Sequence, residues 1–142
     1  MKLTTEIRNK CKYFISLYPN LSEHIQTRRL ELMFGSREED ENIGGSSSGR
    51  VGQPTEQTAM LLITDPLLIE LERVGGLLEM FEGIYPPWYT KLVEGLYFED
   101  KSKYEVSKDM EVSVRTLERR NKEFLTDFAE RMGMFEERGE WD

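Results

Sequence analysis

The sequence has very little of what a disulfide-bonded, zinc-binding or membrane protein needs. Its 142 residues include a single cysteine, Cys11, and a single histidine, His24. One cysteine cannot close an intramolecular disulfide, and together the two residues cannot complete a Cys/His zinc site. The most apolar run, Met60 to Ile69, is broken at Asp65 and Pro66, well short of a membrane span. We therefore expect a cytoplasmic protein without a bound metal or cofactor.

No grouping of side chains predicts catalysis. His24 has no serine, cysteine or aspartate at an interpretable spacing. The glycine-rich stretch from Gly45 to Gly52 contains Arg50 where a phosphate-binding loop needs lysine followed by serine or threonine. The acidic run at 38–41 lacks the spacing of a calcium loop and is typical of a solvated surface. We expect a protein that is not an enzyme.

The net charge of −8 hides an uneven distribution along the chain. Residues 1–34 carry six basic and three acidic side chains, whereas residues 35–100 carry four and thirteen. Residues 101–122 are again basic, with seven and four, and residues 123–142 are acidic, with two and seven. Two basic segments in an acidic chain are compatible with a nucleic-acid partner, although the total charge alone argues against one.

Helical periodicity predicts an all-α fold. The first helix is capped at Thr4 or Thr5 and ends at Pro19, because apolar residues recur between them at spacings of three and four. Asn20 begins the second helix and forms a capping box with Glu23. These two helices are expected to form an antiparallel pair.

A glycine- and serine-rich loop is expected at residues 35–55, followed by two amphipathic helices over residues 56–84. Asp65 caps the second of them, and Pro66 takes its first position, where a proline loses no helical hydrogen bond. That helix carries an apolar stripe formed by Leu67, Leu71, Val74, Leu78 and Phe81. The stripe predicts a packing seam, either within the chain or in a dimer.

Residues 86–133 have the element order of a helix-turn-helix domain. Their first helix is expected to turn three apolar residues inward, namely Trp88, Leu92 and Leu96. A helix of at most two turns then ends at Met110, and a longer helix runs from Val114 to Met132. A short helix, a tight turn and a long helix are the parts of a DNA-binding helix-turn-helix.

Single residues of this segment fit that geometry. Ser107 is small where two helices cross closely, Val112 is an apolar residue in the turn, and Ser113 is a good N-cap. Glu111 departs from the pattern, because the turn usually takes glycine at a positive φ, and glutamate there costs about 1 kcal/mol. The buried side of the long helix is expected to comprise Leu117, Asn121, Phe124, Leu125 and Phe128.

The opposite side of the long helix is basic, which predicts DNA binding. An arginine there can pair bidentately with guanine in the major groove, while lysines before the helix can hold flanking phosphates. The predicted DNA-contacting residues are Ser113, Arg115, Thr116, Arg119, Arg120 and Lys122, with Lys101, Lys103 and Lys108 as phosphate contacts. The alternative is a packing domain with a solvated, charged face.

The first helix offers a second candidate nucleic-acid surface. It interleaves three aromatic residues with three cations, namely Tyr13, Phe14 and Tyr18 with Arg8, Lys10 and Lys12. Aromatic residues on one helical stripe more often belong to a core, which is the favoured interpretation. The predicted segments are a helical pair at 1–34, a loop at 35–55, amphipathic helices at 56–84, a helix-turn-helix domain at 86–133 and an acidic tail at 134–142.

Two family resemblances add to these predictions. The segment from Leu96 to Leu125 resembles region 4 of sigma factors, with an apolar-aromatic run, a short helix and then Val-Ser-Val-Arg-Thr. More of the chain resembles the RinA/ArpU-type phage late-gene transcriptional activators. The motifs of that second resemblance are Tyr18-Pro19, the Glu-Asn-Ile-Gly-Gly from Glu41 to Gly45, the Pro-Thr-Glu from Pro54 to Glu56, and the terminal sigma-like segment.

The resemblance implies a small activator that binds promoter DNA in a phage or prophage and switches on packaging and morphogenesis genes. It also implies a bacterial host cell and host RNA polymerase as a partner, and we expect a homodimer or a higher homo-oligomer. Two alternatives stay open: a small terminase-like subunit that marks packaging sites, and a sigma-like interaction module that does not contact bases.

Overall fold

The computed structural model describes residues 2–34 and 56–135, and it is all-α, as predicted: these residues contain no strand. The first helices are α1 (Thr5–Ser16), a 3-10 turn (Tyr18–Asn20) and α2 (Leu21–Phe34). The central helices are α3 (Glu56–Thr64) and α4 (Pro66–Ile84). The C-terminal helices are α5 (Trp88–Val93), a π-helical segment (Glu94–Phe98), α6 (Lys103–Met110) and α7 (Val114–Arg131).

The described residues form two compact units. The first unit comprises residues 2–19 and 73–135, and the second comprises residues 20–34 and 56–72. This division differs from the predicted segments, because α1 belongs with the C-terminal helices and not with α2. Sequence periodicity shows that a helix has an apolar face, but it does not show which distant helix covers that face.

One hydrophobic core holds the first unit together. Its largest fully buried side chains come from α1, α4, α5 and α7, and they include Ile15, Leu78, Phe81, Leu92, Leu117, Phe124 and Phe128. Cys11 is also fully buried, as predicted for a small apolar residue, and burial raises the pKa of its thiol to about 12. The core therefore joins residues more than 100 positions apart in sequence, such as Cys11 and Leu125.

The N-terminal cap of α1 is Thr4, one of the two predicted residues. Its side chain accepts a hydrogen bond from the backbone N–H of Ile7 at 3.1 Å. The helix ends at Ser16, before the 3-10 turn that contains Pro19, because a proline cannot continue a helix. Cap and stop signals in the sequence therefore fix both ends of this helix.

The second unit contains a partly buried ion pair at the start of α4. Asp65 caps this helix, since its Oδ2 accepts a hydrogen bond from the backbone N–H of Leu68 at 2.9 Å. Arg28 of α2 donates to both carboxylate oxygens, at 3.0 and 2.8 Å. The hydrogen bonds from Arg28 hold the pKa of Asp65 below its ordinary value. The predicted cap is thus confirmed, and its partner Arg28 comes from a helix far away in sequence.

The predicted apolar stripe of α4 needs one correction. Leu71, Val74, Leu78 and Phe81 are buried as expected, but Leu67 is exposed and Leu68 is buried in its place. A helical period assumes one packing partner along the whole helix, whereas the boundary between the two units falls within α4, between Glu72 and Arg73. Because the downstream part of this stripe belongs to the core of the first unit, it is a packing seam within the chain.

The segment after α5 also differs from the prediction. The buried residues are Tyr89, Leu92, Val93 and Tyr97, whereas Trp88 and Leu96 are only half-buried. Residues Glu94–Phe98 form a π-helical turn, in which the backbone N–H of Glu99 bonds to the carbonyl of Glu94 at 2.8 Å. A π turn inserts one residue into the helical period, so the inward position moves from Leu96 to Tyr97.

The acidic tail begins later than predicted. Met134 is 4% exposed and belongs to the core of the first unit, and Phe135 packs partly against it. The remainder of the predicted tail, residues 136–142, and the predicted loop at residues 35–55 lie outside the described residues. Among the described helices, none combines the length and the apolar character that crossing a membrane requires.

Gly95 in the π-helical turn allows a close approach of α6, which gives a stability prediction. A Cβ added at Gly95 would lie 2.7 Å from Cγ2 of the fully buried Val106. Gly95→Ala should therefore destabilise the fold by about 1–3 kcal/mol, as measured by urea unfolding. The matched control is Gly76→Ala in α4, where an added Cβ meets nothing within 4 Å. This change should stabilise by about 0.5–1 kcal/mol, and equal effects at both glycines would contradict the close approach.

Candidate nucleic-acid interface

A three-residue turn joins α6 to α7, as predicted. Glu111 adopts the left-handed conformation, with φ 60° and ψ 42°. Its backbone N–H bonds to the carbonyl of Lys108 at 3.1 Å, and the N–H of Val112 bonds to the carbonyl of Ser107 at 3.0 Å. This pair of bonds is a Schellman motif, which ends α6 and turns the chain sharply. The turn therefore accepts a glutamate where glycine is usual.

Ser113 caps the start of α7. Its Oγ accepts a hydrogen bond from the backbone N–H of Thr116 at 3.1 Å and donates to Thr116 Oγ1 at 3.0 Å. Both hydroxyl groups, which were predicted to contact DNA, thus hydrogen-bond to each other at the cap. Thr116 can still donate its own hydroxyl hydrogen to a ligand.

Packing and hydrogen bonds fix the rotation of α7 about its axis. The side chains of Leu117, Phe124, Leu125 and Phe128 are almost completely buried, as predicted. Asn121, predicted on the buried side, is half-buried. Its Oδ1 accepts a hydrogen bond from the hydroxyl group of Tyr97. Further along, Asp127 accepts hydrogen bonds from the hydroxyl of Tyr85 and from Nε of Arg131, both at 2.7 Å.

The opposite face of α7 presents three cations to solvent. Arg115, Arg119 and Lys122 are all exposed. Within the residues that the structure describes, none of the three forms a hydrogen bond or an ion pair through its side chain. Their charges are therefore available to a ligand, and the sequence places all three on this outward face.

Arg120, which the sequence places on the flank of this face, packs against an aromatic ring. Its guanidinium carbon lies 4.9 Å from the ring centroid of Trp88, and its side chain is half-buried. This is the geometry of a cation–π contact, which holds the side chain against α5. The prediction that Arg120 contacts DNA stays a prediction.

Two of the three predicted phosphate-binding lysines are already paired with carboxylates. Lys101 bonds to Glu99 and Asp109, each at 3.2 Å, and Lys103 bonds to Glu118 of α7 at 2.7 Å. These carboxylates raise the pKa of both lysines. Because exposed ion pairs contribute little, they can be exchanged for contacts with phosphate.

Lys108, the third of these lysines, is exposed and has no ion-pair partner among the described residues.

A groove brings several of the predicted residues together. It has a volume of about 570 Å³, and the side chains of α7 that line it include Arg115, Arg119 and Lys122. Lys103 of α6 and Arg8 of α1 also line it. Lys108 and Arg120 are not part of this groove. The structure thus assembles a basic surface from α7, the start of α6 and the first helix.

Two of the three aromatic residues in the candidate second nucleic-acid surface pack within the fold. Phe14 is 7% exposed and belongs to the core. Tyr18 stacks on Phe98, with ring centroids 6.1 Å apart, so its face is occupied within the fold. Tyr13 alone is largely exposed, at 59%. The favoured interpretation, in which these aromatic residues pack in the core, is therefore correct for Phe14 and Tyr18.

A family model described as "Protein of unknown function (DUF722)" matches residues 9–130. The chain belongs to the DUF722 family. The match begins within α1, continues through both units and ends one residue before the end of α7. DUF722 membership therefore covers the basic face of α7, but the description of the family assigns no activity to it. No curated protein and no solved structure is significantly similar to the chain.

The sequence alone does not place Arg8 and Glu118 at this surface. Arg8 lies on α1, among the aromatic residues of the candidate second surface. Glu118 follows Leu117 on α7 and pairs with Lys103. Helical spacing gives a weak signal for Glu118, because it lies one turn after Arg115 and next to Arg119. No comparable signal exists for Arg8, since the contact between α1 and α7 spans the whole chain.

The left-handed residue of the turn gives a second stability prediction. Glu111→Gly should stabilise the fold by about 0.5–1 kcal/mol, because glycine has no steric cost at a positive φ. Glycine loses more backbone entropy on folding, but this loss offsets only part of the gain. Glu111→Ala is the control, since it removes the side chain but retains the cost, and it should change the free energy by less than about 0.5 kcal/mol. Urea unfolding measures the change in the free energy of unfolding for both variants. A glycine variant that is less stable than the alanine variant would refute the left-handed conformation of Glu111.

Proposed function

We propose that the chain is a sequence-specific DNA-binding protein in which α6, the turn at Glu111 and α7 act as a helix-turn-helix. One observation carries the proposal: the exposed face of α7 holds Arg115, Arg119 and Lys122 without partners among the described residues, while its other face is locked in the core. A rigid helix with uncompensated arginines near its N-terminus fits the major groove of duplex DNA.

In this mechanism, α7 supplies the base contacts and its neighbours supply phosphate contacts. Arg115 and Arg119 are one helical turn apart, so both can reach base edges from one face. Arginine donates two parallel hydrogen bonds to guanine, and each such pair discriminates by about 1–3 kcal/mol. Lys103 and Lys108 hold the flanking backbone, with Lys103 exchanging its bond to Glu118 for a phosphate.

We propose further that the regulated genes are phage or prophage late genes and that the protein activates them. The resemblance to the RinA/ArpU-type activators supports this role, and the protein would then act in the cytoplasm of a bacterial host. The acidic segments of the chain are candidates for contact with host RNA polymerase, since the polymerase contact of an activator lies away from its DNA-binding face. This role is non-enzymatic.

We also propose that the protein acts as a homo-oligomer, with α3 at the contact. Helix α3 has no buried residue, although it contains Met60, Leu61 and Ile63, which are 61%, 49% and 69% exposed. Such an apolar surface is unusual on a monomer and is typical of a protein contact. The predicted stripe on α4 is buried in the chain apart from Leu67, so the exposed side of α3 replaces it as the dimer contact in this proposal.

The proposed function predicts the effect of removing one arginine. Arg119→Ala should weaken binding to the preferred duplex by about 1–3 kcal/mol and relax the preference at one base pair, because a bidentate contact is lost. The preferred duplex is first obtained by selection from random DNA, and affinities are measured at fixed salt. The matched control is Arg73→Ala, an exposed arginine outside the groove, which should leave affinity and preference unchanged.

If selection yields no preferred sequence and Arg119→Ala binds like the wild type, the protein does not bind DNA through α7. The interaction-module alternative would then be favoured.

The proposed oligomer gives another prediction. Ile63→Asp should convert the oligomer to a monomer in light scattering coupled to size-exclusion chromatography, because a carboxylate at a buried apolar contact is costly to desolvate. Met80→Asp is the control, since Met80 is also an exposed apolar residue but lies on α4. A wild-type dimer fits an activator, whereas a ring of many subunits favours the terminase-like alternative. A wild-type monomer would contradict the contact on α3.

A further inference from the structure

The first helix contributes two cations to the basic groove beside α7. Arg8 and Lys12 are four residues apart and therefore lie on the same face of α1. Arg8 lines the groove that contains Arg115 and Arg119. Both Arg8 and Lys12 line an adjoining groove of about 350 Å³, together with Lys101 and Lys103.

The two grooves adjoin each other and together make up one basic depression. They share four lining residues, namely Arg8, Leu96, Lys103 and Asn121. Lys12 of α1 lines only the smaller groove, and Lys122 of α7 lines only the larger one. All of these residues belong to the first unit, so the depression is formed within one compact unit. Cations distributed over several helices fit a chain of charges better than they fit a single small anion.

The charge of this depression is opposite to that of the chain. Its lining contains two acidic residues, Asp100 and Glu118, against seven basic ones, which are Arg8, Lys12, Lys101, Lys103, Arg115, Arg119 and Lys122. Five of the seven cations have no ion-pair partner within residues 2–34 and 56–135. An acidic protein that leaves these cations unpaired in one depression has a surface complementary to a polyanion.

Arg8 is the residue of α1 that lines both grooves. Its side chain is half-buried, and Tyr97 and Asn121 line the smaller groove with it. Burial raises the pKa of Tyr97, and the charge of Arg8 acts against that shift, as expected for two neighbouring groups. The hydroxyl of Tyr97 donates to Asn121 of α7. Because α1 and α7 share one hydrophobic core, the packing of the first unit sets where the cations of α1 lie relative to the exposed face of α7.

We propose that Arg8 and Lys12 bind phosphates of the DNA backbone next to the bases contacted by α7. The inference rests on the proposed function and extends its binding site to α1. Long flexible cations at the edge of a groove are suited to phosphate contacts, which position a protein on the duplex without distinguishing sequences. Phe14 and Tyr18 take no part, because their rings pack within the fold.

The test uses a double variant that removes charge but keeps side-chain length. Arg8→Gln with Lys12→Gln should weaken binding to the preferred duplex and to a scrambled duplex by the same factor. The slope of log affinity against log salt should fall by about 2, since each phosphate contact contributes about 0.9. Circular dichroism melting verifies that the variant is folded. The matched control is Lys2→Gln with Arg73→Gln, two exposed cations outside both grooves.

The outcomes separate this inference from the proposed function. A salt slope equal to that of the control variant overturns the assignment of Arg8 and Lys12, while Arg119→Ala remains a separate test of α7. A larger loss on the preferred duplex than on the scrambled one also overturns it, because α1 would then contact bases. Phosphate ethylation interference gives an independent readout: the double variant should lose interference at phosphates flanking the site and keep it elsewhere.

Discussion

The burial of Phe124 in α7 is the contact on which the rest of the first unit depends. Its ring lies 5.4–6.3 Å from those of Phe81, Tyr85, Tyr89 and Tyr97, which come from α4, the following loop, α5 and the π-helical turn. Edge-to-face and tilted pairs at these distances add to the energy of burial. Because Phe124 is fixed from several sides, α7 cannot rotate, and its cations stay at the surface.

This constraint explains how an acidic protein can carry a basic site. The net charge is −8, yet α7, the start of α6 and α1 place seven cations around one depression. Physiological salt screens charges beyond about 8 Å, so the local potential of the depression governs contact at this surface. The acidic remainder of the surface should oppose nonspecific binding where it approaches DNA itself.

The two units contain the two surfaces that the proposed function needs. The first unit contains the basic depression and the aromatic core that supports it. The second unit contains the Arg28–Asp65 pair, which caps α4, and the exposed apolar residues of α3. A DNA-binding dimer needs both kinds of surface, since its two basic faces must be held at the spacing of two half-sites. DUF722 membership covers both units and is compatible with this division, although it assigns no activity.

The sequence by itself determined the local elements: the all-α class, a cap at Thr4 or Thr5, and the caps at Asp65 and Ser113. These features depend on residues within a few positions of one another, so spacing and side-chain chemistry suffice to predict them. Only the tertiary structure decided which faces meet. The π-helical turn moved the inward position to Tyr97, the packing of α5 brought the ring of Trp88 against Arg120, and the packing of α1 brought Arg8 beside α7. Each of these outcomes depends on contacts between segments distant in sequence, and helical periodicity carries no information about such contacts.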